Sequence, residues 1–352
     1  MFVKLKDICQ VVSGATPSTT NTDFYDGEIY WITPKDLANN SNSKKITNCA
    51  RKISKEGFES CSTVMIPKHN ILISTRAPIG YIAINTMDCC TNQGFKSLIC
   101  NILKVNVDYL FYNLKFRINE IELLGSGTTF KEVSKTSIEN FEIDLPPLEI
   151  QNKIASILSS IDNQIERNNL MVKKLQVLGK GIYSKNLLQV NYLSLSDCSI
   201  ITTGKEDANH ASIDGKFKFF TCSDSVLTCD DFKFEGKNIL VAGNGNFNVK
   251  YYDGKFNAYQ RTYVIKNDKI YGNLYYSLLF NTEVFKKKSN GSIIKFITID
   301  MLNKIEIPFF SYKINLILNN IVSQINFINV SIEKLSILKN KLLPLLINQQ
   351  LL

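Results

Sequence analysis

Residues 145–182 read LPPLEIQNKIASILSSIDNQIERNNLMVKKLQVLGKGI. Apolar side chains recur in this stretch in alternating steps of four and three residues, the heptad pattern of a helix that buries one stripe, here called the seam. The pattern predicts a single helix of about 38 residues, roughly 57 Å long at 1.5 Å per residue. The predicted seam consists of Ile150, Ile154, Ile157, Ile161, Gln164, Asn168, Met171, Leu175, Leu178 and Ile182.

The same pattern returns later in the chain, with Ile314 in the place of Ile150 and Leu346 in the place of Ile182. Each helix must bury its stripe, and the other copy is the nearest partner, so we expect an intramolecular coiled coil. Pro344 predicts a kink or a frayed last turn in the second helix. The residues predicted to pair the helices are Ile154, Ile157, Ile161, Gln164, Asn168 and Leu175 on the first and Leu318, Ile321, Ile325, Ile328, Ile332 and Leu335 on the second.

Two polar residues interrupt the seam near the centre of the first helix. Gln164 and Asn168 stand where the second helix has Ile328 and Ile332. A buried polar side chain in a coiled coil costs stability and can fix the register of the two helices. The alternative, a partly solvated position without such a role, is equally compatible with the sequence.

The duplication extends upstream of both helices. The segment LFYNLKF at 110–116 returns as LYYSLLF at 274–280, and NILI at 70–73 returns as NILV at 238–241. The period is too long for a solenoid repeat and describes two copies of one whole module. In the first copy, spacing and β-branched content predict helices over 4–13 and 107–124 and strands over 28–33 and 70–75. The predicted fold class is α+β: two tandemly repeated mixed α/β domains, each followed by a long helix.

Composition narrows the class of protein. The 352 residues include 44% hydrophobic and 21% charged residues, a balance that excludes wholesale disorder. No run of about 18 apolar residues predicts a membrane span, and the first residues do not resemble a secretion signal. Nine cysteines without a Cys-x-x-Cys pair and only two histidines, His69 and His210, predict reduced thiols and no metal site. A net charge of +9 is compatible with a polyanionic partner without proving one.

A search for catalytic motifs finds none that is complete. Walker A, nucleophile-elbow and dinucleotide-binding patterns are missing from the sequence, as is the Asn-Pro-Pro-aromatic tetrapeptide of DNA amino-methyltransferases. Acid-Gly-Lys triplets that resemble the tail of a nuclease metal motif are better interpreted as hairpin turns, because their central residue is glycine. These triplets begin at Asp214, Glu235 and Asp253.

Polar loops with glycine, hydroxyl and basic residues follow or precede the predicted elements in both copies. Such residues are the usual phosphate contacts, and Gln, Asn and Arg can also read base edges in the major groove. Each single residue has the simpler interpretation of a solvated turn, so the prediction depends on the collection. The predicted DNA-binding residues are Ser13, Thr16, Ser18, Arg76, Gln93, Lys96, Ser126, Thr128 and Lys131 in the first copy and Lys205, Asn244, Asn246, Gln260, Arg261, Lys287 and Lys295 in the second.

Several of these loops form recognisable motifs. They are Leu5-x-Asp7-Ile8 running to Ser13-Gly14-x-Thr16-Pro17-Ser18, TRAPIG at 75–80, TNQGF at 91–95, Gly125-Ser126-Gly127 leading to Lys131, and LPPLEIQ at 145–151. With them, the whole chain resembles the HsdS-like specificity subunit of type I restriction-modification systems. The second copy departs from the pattern, because PFFSYK at 308–313 replaces the LPPLEIQ signature.

The resemblance implies a domain plan and a function. Residues 1–147 would be a first target recognition domain and 188–309 a second, separated by conserved helices at 148–187 and 310–352 that pack antiparallel. Each recognition domain would read one half of a bipartite asymmetric site in double-stranded DNA.

The resemblance also implies partners. The chain, itself without catalysis, would recruit two modification (methyltransferase) subunits and restriction (translocase/endonuclease) subunits in the cytoplasm. S-adenosylmethionine, ATP and Mg²⁺ would be used by those partners, and this chain would bind no cofactor. Two other classes stay open at this point: a standalone DNA-binding nuclease or methyltransferase accessory, and a protein-only coiled-coil adaptor.

Overall fold

The computed structural model describes residues 1–40, 43–126, 131–188, 190–289 and 296–351. The chain divides into two compact units. The first unit consists of Met1–Glu166 and Lys334–Leu352, and the second of Arg167–Glu333. Each unit therefore combines one mixed α/β part with a segment of both long helices. No helix in the described part of the chain is long and apolar enough to cross a membrane.

Three small sheets and several short helices form the mixed part of the first unit. Strand order is β2-β9-β6-β7-β4 in the largest sheet, β5-β3-β8 in the second and β1-β10 in the third. The elements are β1 (Phe2–Lys4), α1 (Leu5–Ile8), β2 (Cys9–Ser13), β3 (Tyr25–Ile32), α2 (Pro34–Asn39), β4 (Lys45–Ile46), β5 (Lys52–Ile53), α3 (Lys55–Glu59), β6 (Ile71–Ile73), β7 (Ile82–Asn85), β8 (Cys89–Thr91), β9 (Lys96–Cys100), α4 (Val107–Phe116), α5 (Ile118–Leu123), α6 (Lys135–Glu139), β10 (Glu142–Asp144) and the long helix α7 (Leu148–Lys185).

The second unit repeats this plan with fewer strands. Its sheets have the orders β12-β18-β15-β16, β14-β13-β17 and β11-β19. The parallel pair β13–β17 repeats the parallel pair β3–β8 of the first unit. The elements are β11 (Tyr192–Ser194), α8 (Leu195–Cys198), β12 (Ile200–Thr203), β13 (Phe217–Phe220), β14 (Leu227–Cys229), β15 (Lys237–Ala242), β16 (Val249–Asp253), β17 (Phe256–Ala258), β18 (Thr262–Lys266), α9 (Tyr271–Ser289), α10 (Ile299–Asn303), β19 (Glu306–Pro308) and the long helix α11 (Tyr312–Ile347).

The helix predicted over residues 4–13 is wrong for most of its length. Only Leu5–Ile8 are helical, and Cys9–Ser13 form strand β2. The strand pairs antiparallel with β9, from Cys9 opposite Cys100 to Ser13 opposite Lys96. The β-branched Val11 and Val12 suit this pairing better than a helix, and the sheet overrides the local helical spacing. The helix predicted over 107–124 is interrupted at Arg117.

The acid-Gly-Lys triplets do lie in turns, but not in hairpins between paired strands. Gly254 (φ +155°) connects β16 to β17, which belong to different sheets. Its backbone exchanges hydrogen bonds of 3.1 and 3.3 Å with that of Gly236 (φ +84°), the centre of a second triplet. Both glycines adopt positive φ values that favour glycine over other residues. Asp214, which begins the third triplet, also has a positive φ.

The buried stripe of α7 differs from the predicted seam at every second position. Leu158 and Val172 are buried, whereas Ile157, Met171 and Leu178 are 40–52% exposed. The structure keeps Ile154, Ile161, Asn168 and Leu175 of the prediction and replaces the alternate positions Ile157, Gln164, Met171 and Leu178 by their C-terminal neighbours. Both choices give steps of four and three, so the period alone does not decide between them. Gln164 and its neighbour Ile165 are both half-buried.

The seam of α11 follows the predicted register. Leu318, Ile321, Ile325 and Leu346 are buried. The remaining predicted positions of this helix are half-buried: Ile314, Ile328, Ile332, Leu335, Lys339 and Leu342. The helix continues through Pro344 to Ile347, and burial of Leu346 and Ile347 in the core of the first unit holds the last turn in place. The predicted fraying at Pro344 is therefore wrong.

The two long helices run antiparallel within each unit. In the first unit, Ile154 and Leu158 share a core with Leu346, and Lys339 Nζ donates to Asp162 at 2.6 Å. In the second unit, Val172 shares a core with the earlier part of α11. That core includes Ile321, Ile325, Ile328 and Ile332. Asn168 Nδ2 lies 3.5 Å from Ser331 Oγ, so the polar residue of the seam faces a polar partner.

A buried polar network joins the mixed part of the first unit to α7. The Lys44 side chain is 6% exposed, and its Nζ lies 2.9 Å from both Asp108 Oδ1 and Ser159 Oγ. The Tyr112 hydroxyl donates to Asp162 Oδ2 at 2.7 Å. Burial and the charge of Asp162 raise the pKa of Tyr112 well above its usual range, which keeps the phenol a donor.

Alanine substitutions at two glycines of α7 are expected to change the stability of the protein in opposite directions. A Cβ at Gly179 would lie 1.8 Å from Oη of the buried Tyr276, whereas a Cβ at Gly181 would meet nothing within 4 Å. We expect Gly179→Ala to destabilise the protein by about 2 kcal/mol through overpacking. We expect Gly181→Ala to stabilise it by up to about 1 kcal/mol through helix propensity. Denaturant unfolding of both variants checks this pair, and equal shifts would contradict the close approach of Tyr276 to α7.

Candidate nucleic-acid interface

The loops of the first unit that contain the predicted DNA-binding residues meet at one end of its largest sheet. Ser13 ends β2 opposite Lys96, which begins β9. The loop after β2 is fastened to the segment before β9, because Ala15 N donates to Thr91 O at 3.0 Å and the Thr16 hydroxyl donates to Gln93 Oε1. Four of the predicted residues therefore lie on adjacent segments.

Glycine permits this close approach in both units. A Cβ at Gly14 would lie 2.1 Å from the carbonyl oxygen of Thr91, and one at Gly204 would lie 2.2 Å from that of Tyr259. Backbone atoms cannot yield as a flexible side chain can, so any larger residue would separate the two segments. The same junction thus occurs at equivalent places in the two copies.

A charged cluster connects three segments of the first unit. Arg76 Nε lies 2.9 Å from Glu132 Oε2, and Lys96 Nζ lies 3.2 Å from Glu132 Oε1. Ser126 pairs with Glu132 through two backbone hydrogen bonds of 3.0 and 3.1 Å. Burial favours protonation of the Glu132 carboxyl, but the hydrogen bonds from Arg76 and Lys96 outweigh it and lower its pKa. Glu132 is therefore a carboxylate that orients two cations.

The two cations of this cluster differ in exposure. The Arg76 side chain is half exposed, whereas Lys96 is buried. A guanidinium has five N–H donors in a planar fork, so Arg76 can bond Glu132 and still present donors to a phosphate or a base edge. The buried Lys96 instead helps to hold the Glu132 carboxylate in place.

The other predicted residues of the first unit lie at the margin of this group or outside the described residues. Ser18 lies on the loop after β2 and bonds Thr20, its hydroxyl 2.8 Å from that of Thr20. Lys131 is exposed next to Glu132. Thr128 lies outside the described residues. The structure thus brings Ser13, Thr16, Gln93, Lys96, Arg76 and Ser126 together and leaves Ser18 and Lys131 at the margin.

In the second unit, backbone hydrogen bonds bring the predicted loops together. Lys205 N donates to Ala258 O at 3.1 Å, and Gly243 N donates to Arg261 O at 2.8 Å. Two predicted side chains hydrogen-bond neighbouring carboxylates, Gln260 to Asp207 at 3.0 Å and Asn246 to Asp224 at 2.9 Å.

The other predicted residues of this unit are described in part. Asn244 forms a β-bridge with Phe296. The backbone of Lys287 lies in α9, its side chain is not described, and Lys295 lies outside the described residues.

Several residues that shape the candidate interface of the first unit were not among the predicted residues. Trp31 Nε1 donates to Ala15 O at 3.1 Å and Tyr25 OH donates to Pro17 O at 2.8 Å, and both bonds fix the loop after β2. Glu132 was missed because an acidic residue is an unexpected neighbour for DNA. Its position directly after the predicted Lys131 was the only local signal.

Comparison with known proteins gives one family. The model of the type I restriction modification DNA specificity domain matches residues 1–176 and again 182–338. The MjaIX specificity subunit of Methanocaldococcus jannaschii is 41% identical over 165 residues, which are 46% of this chain and 38% of that protein. The EcoDI specificity subunit of Escherichia coli is 43% identical over 106 residues, 30% of this chain and 24% of that protein. These alignments thus span less than half of the length of either relative.

A solved structure supports the fold over nearly the whole chain. The crystal structure of a type I restriction-modification S subunit from M. genitalium superposes with a TM-score of 0.71, covering 98% of this chain and 95% of that one. Its sequence identity of 16% supports the fold alone. Two tandem matches to the family model and the duplicated architecture agree with each other. The chain therefore belongs to the family of type I restriction-modification DNA specificity domains and contains two of them in tandem.

Proposed function

We propose that this chain is the DNA specificity subunit of a type I restriction-modification complex, and that each unit reads one half of a bipartite site. One observation carries the proposal: two copies of one module each gather polar loops at the same glycine junction, at Gly14 and Gly204. Two similar but divergent reading surfaces suit a target with two different halves.

The charged cluster of the first unit suggests how binding begins. Arg76 and Lys96 are held in place by Glu132 before any ligand arrives, so little side-chain entropy is lost when DNA binds. A DNA phosphate near Arg76 would gain from the guanidinium donors that face away from Glu132. Such contacts would position the duplex, and Gln93 and Ser13 on the adjoining segments would be placed to read base edges.

The catalytic steps belong, in this proposal, to other chains. Modification subunits, two per specificity subunit, would bind S-adenosylmethionine, and restriction subunits would use ATP and Mg²⁺, all in the cytoplasm. Support comes from the named relatives, which are specificity subunits of type I restriction enzymes. The nuclease alternative has less support, because two of the acid-Gly-Lys triplets that resemble a nuclease metal motif lie in turns. The backbones of Gly236 and Gly254, at the centres of these triplets, hydrogen-bond each other.

Salt dependence of duplex binding tests the proposal. We expect the Arg76→Gln/Lys96→Gln variant of the full chain to bind duplex DNA about tenfold more weakly at moderate salt. The slope of log affinity against log salt should fall by about 0.9 for each DNA phosphate that the variant no longer neutralises. Arg76→Lys should keep most of the slope while it loses the planar fork. Fluorescence anisotropy with a labelled random-sequence duplex measures both quantities, and circular dichroism verifies folding.

A matched control removes two cations from the long helix instead. Lys153→Gln/Lys180→Gln changes the net charge equally, at side chains that are more than half exposed and far along the sequence from the loops. Its slope should stay near that of the wild type. If both double variants reduce the slope equally, or neither does, the loops do not bind the DNA. A wild-type chain without salt-dependent duplex binding would favour the protein-only adaptor.

A further inference from the structure

Three residues of the second unit bring metal-ligand atoms together. His210 ends a short turn of 3-10 helix, Cys229 ends β14, and Asp231 follows two residues later. One ligand atom of each residue lies within 4.8 Å of the others, and His210 Nε2 is 2.7 Å from Asp231 Oδ1. Cys229 is wholly buried, whereas Asp231 is half exposed. The sequence predicts no metal site, because no cysteine stands in a Cys-x-x-Cys pair and the chain has only two histidines.

A second carboxylate flanks the same imidazole. His210 Nδ1 lies 3.4 Å from Glu206 Oε2, on the side of the ring opposite to Asp231. A neutral imidazole has one N–H, so when Nδ1 donates to Glu206 the lone pair of Nε2 faces the Asp231 carboxylate. The separation of 2.7 Å is that of a hydrogen bond, which a neutral ring with its hydrogen on Nε2 can donate, and an ion bound by both residues would take the place of that hydrogen.

The surrounding residues hold the potential ligands in place. Asn257 is wholly buried in β17 and donates to Asp231 Oδ1 at 3.1 Å. Lys233 Nζ lies 3.5 Å from Glu206 Oε1. Metal-binding histidines usually donate their other ring N–H to a carboxylate, and ligand carboxylates are themselves hydrogen-bonded. Glu206 and Asn257 occupy these two outer positions.

We propose that His210 Nε2, Cys229 Sγ and a carboxylate oxygen of Asp231 bind a divalent transition metal ion of the zinc class. Imidazole nitrogen, thiolate sulfur and carboxylate oxygen are the donors that Zn²⁺ takes at about 2.0–2.3 Å, in tetrahedral sites. Tetrahedral ligands at these bond lengths lie about 3.3–3.8 Å apart. Binding therefore requires His210 Nε2 and Asp231 Oδ1, now 2.7 Å apart, to separate, and the most distant pair, within 4.8 Å, to approach by about 1 Å. Binding converts the Cys229 thiol to a thiolate, and its proton passes to solvent. A water or an external ligand takes the fourth position.

The ion would stabilise the loops to which DNA binding is assigned above, a role that depends on the proposed function. Gln260 N donates to Glu206 O at 2.9 Å, and Gln260 Nε2 donates to Asp207. Glu206 and Asp207 thus connect the metal ligand His210 with the loop of Gln260 and Arg261. An ion that holds His210 in place would therefore also restrict the motion of that loop.

Metal titration of the tag-free full chain, without DNA, tests the site. After chelator treatment, the protein is titrated with Co²⁺ and then Zn²⁺, and bound metal is counted by mass spectrometry after desalting. We expect one ion per chain, a thiolate-to-cobalt charge-transfer band, and its loss when Zn²⁺ is added. Asp231→Asn or Cys229→Ser should weaken binding by more than the roughly 10–100-fold expected of the outer-shell variant Glu206→Gln.

Two matched variants serve as controls. Cys222→Ser changes another thiol of the same unit, whose Sγ contacts only a backbone carbonyl among its described contacts. His69→Gln removes the other histidine of the chain. Both should leave the titration unchanged. Failure to retain an ion, a cobalt spectrum without the thiolate band, or equal losses in the controls would show that His210 and Asp231 form only a proton-bridged pair. None of these outcomes involves DNA, so they do not bear on the proposed function.

Discussion

Leu158→Asp is expected to unfold the first unit, whereas Ile157→Asp, one residue earlier on the same helix, is expected to change stability by less than about 0.5 kcal/mol. Leu158 is wholly buried among residues of both long helices and of the mixed α/β part. Removing a buried leucine side chain costs about 2–5 kcal/mol, and burying a carboxylate without a partner adds to that cost. The sum is comparable to the whole stability of a typical domain. Ile157 is 40% exposed, and an aspartate there can stay in water.

Denaturant unfolding of the full chain, followed by circular dichroism, measures the difference. Leu158→Ala is a milder variant that keeps the protein foldable and should still lose about 3 kcal/mol. The reverse order, with Ile157→Asp the more damaging change, would mean that the register read from the sequence is correct and the observed stripe of α7 is not.

The heptad illustrates what a sequence can and cannot decide. The length and pairing of the long helices follow from the apolar period, and Leu148–Lys185 is close to the predicted span. The register is ambiguous, because Ile157 and Leu158 are both apolar and each continues a four-three pattern. Ile165 beside the polar Gln164 favoured the observed register. In the observed register Ile165 takes the place of Gln164, although both side chains are half-buried.

Non-local pairing accounts for the elements that were predicted wrongly. Strand β2 depends on β9, whose residues lie far along the chain, and this ladder converts a local helical spacing into a strand. In the candidate site, too, some features follow from the sequence and others require the fold. Basic and polar loops were predicted as a collection, but the partnership of Arg76 and Lys96 with Glu132 requires the fold. The grouping of His210 with Cys229 and Asp231 is likewise produced by the sheets.

Exchange of the first recognition domain has the largest expected effect on function. Residues 1–147 end at Pro147, directly before α7 begins at Leu148, so the boundary leaves the helix intact. The donor should be a family member with residues equivalent to Lys44 and Tyr112, because these contact Ser159 and Asp162 on α7. If each unit reads its own half-site, the exchange changes one half of the recognised sequence and leaves the other half as it was.

Genome-wide methylation mapping measures this directly, in cells that express the exchanged chain or the original chain with the same modification subunits. The control is a re-exchange that restores residues 1–147. We expect one half of the methylated motif to be replaced completely by that of the donor, while the second half persists at every modified site. Methylation with both halves altered, or with the original motif unchanged, would contradict the claim that two separate units of this chain read the two halves of the DNA site.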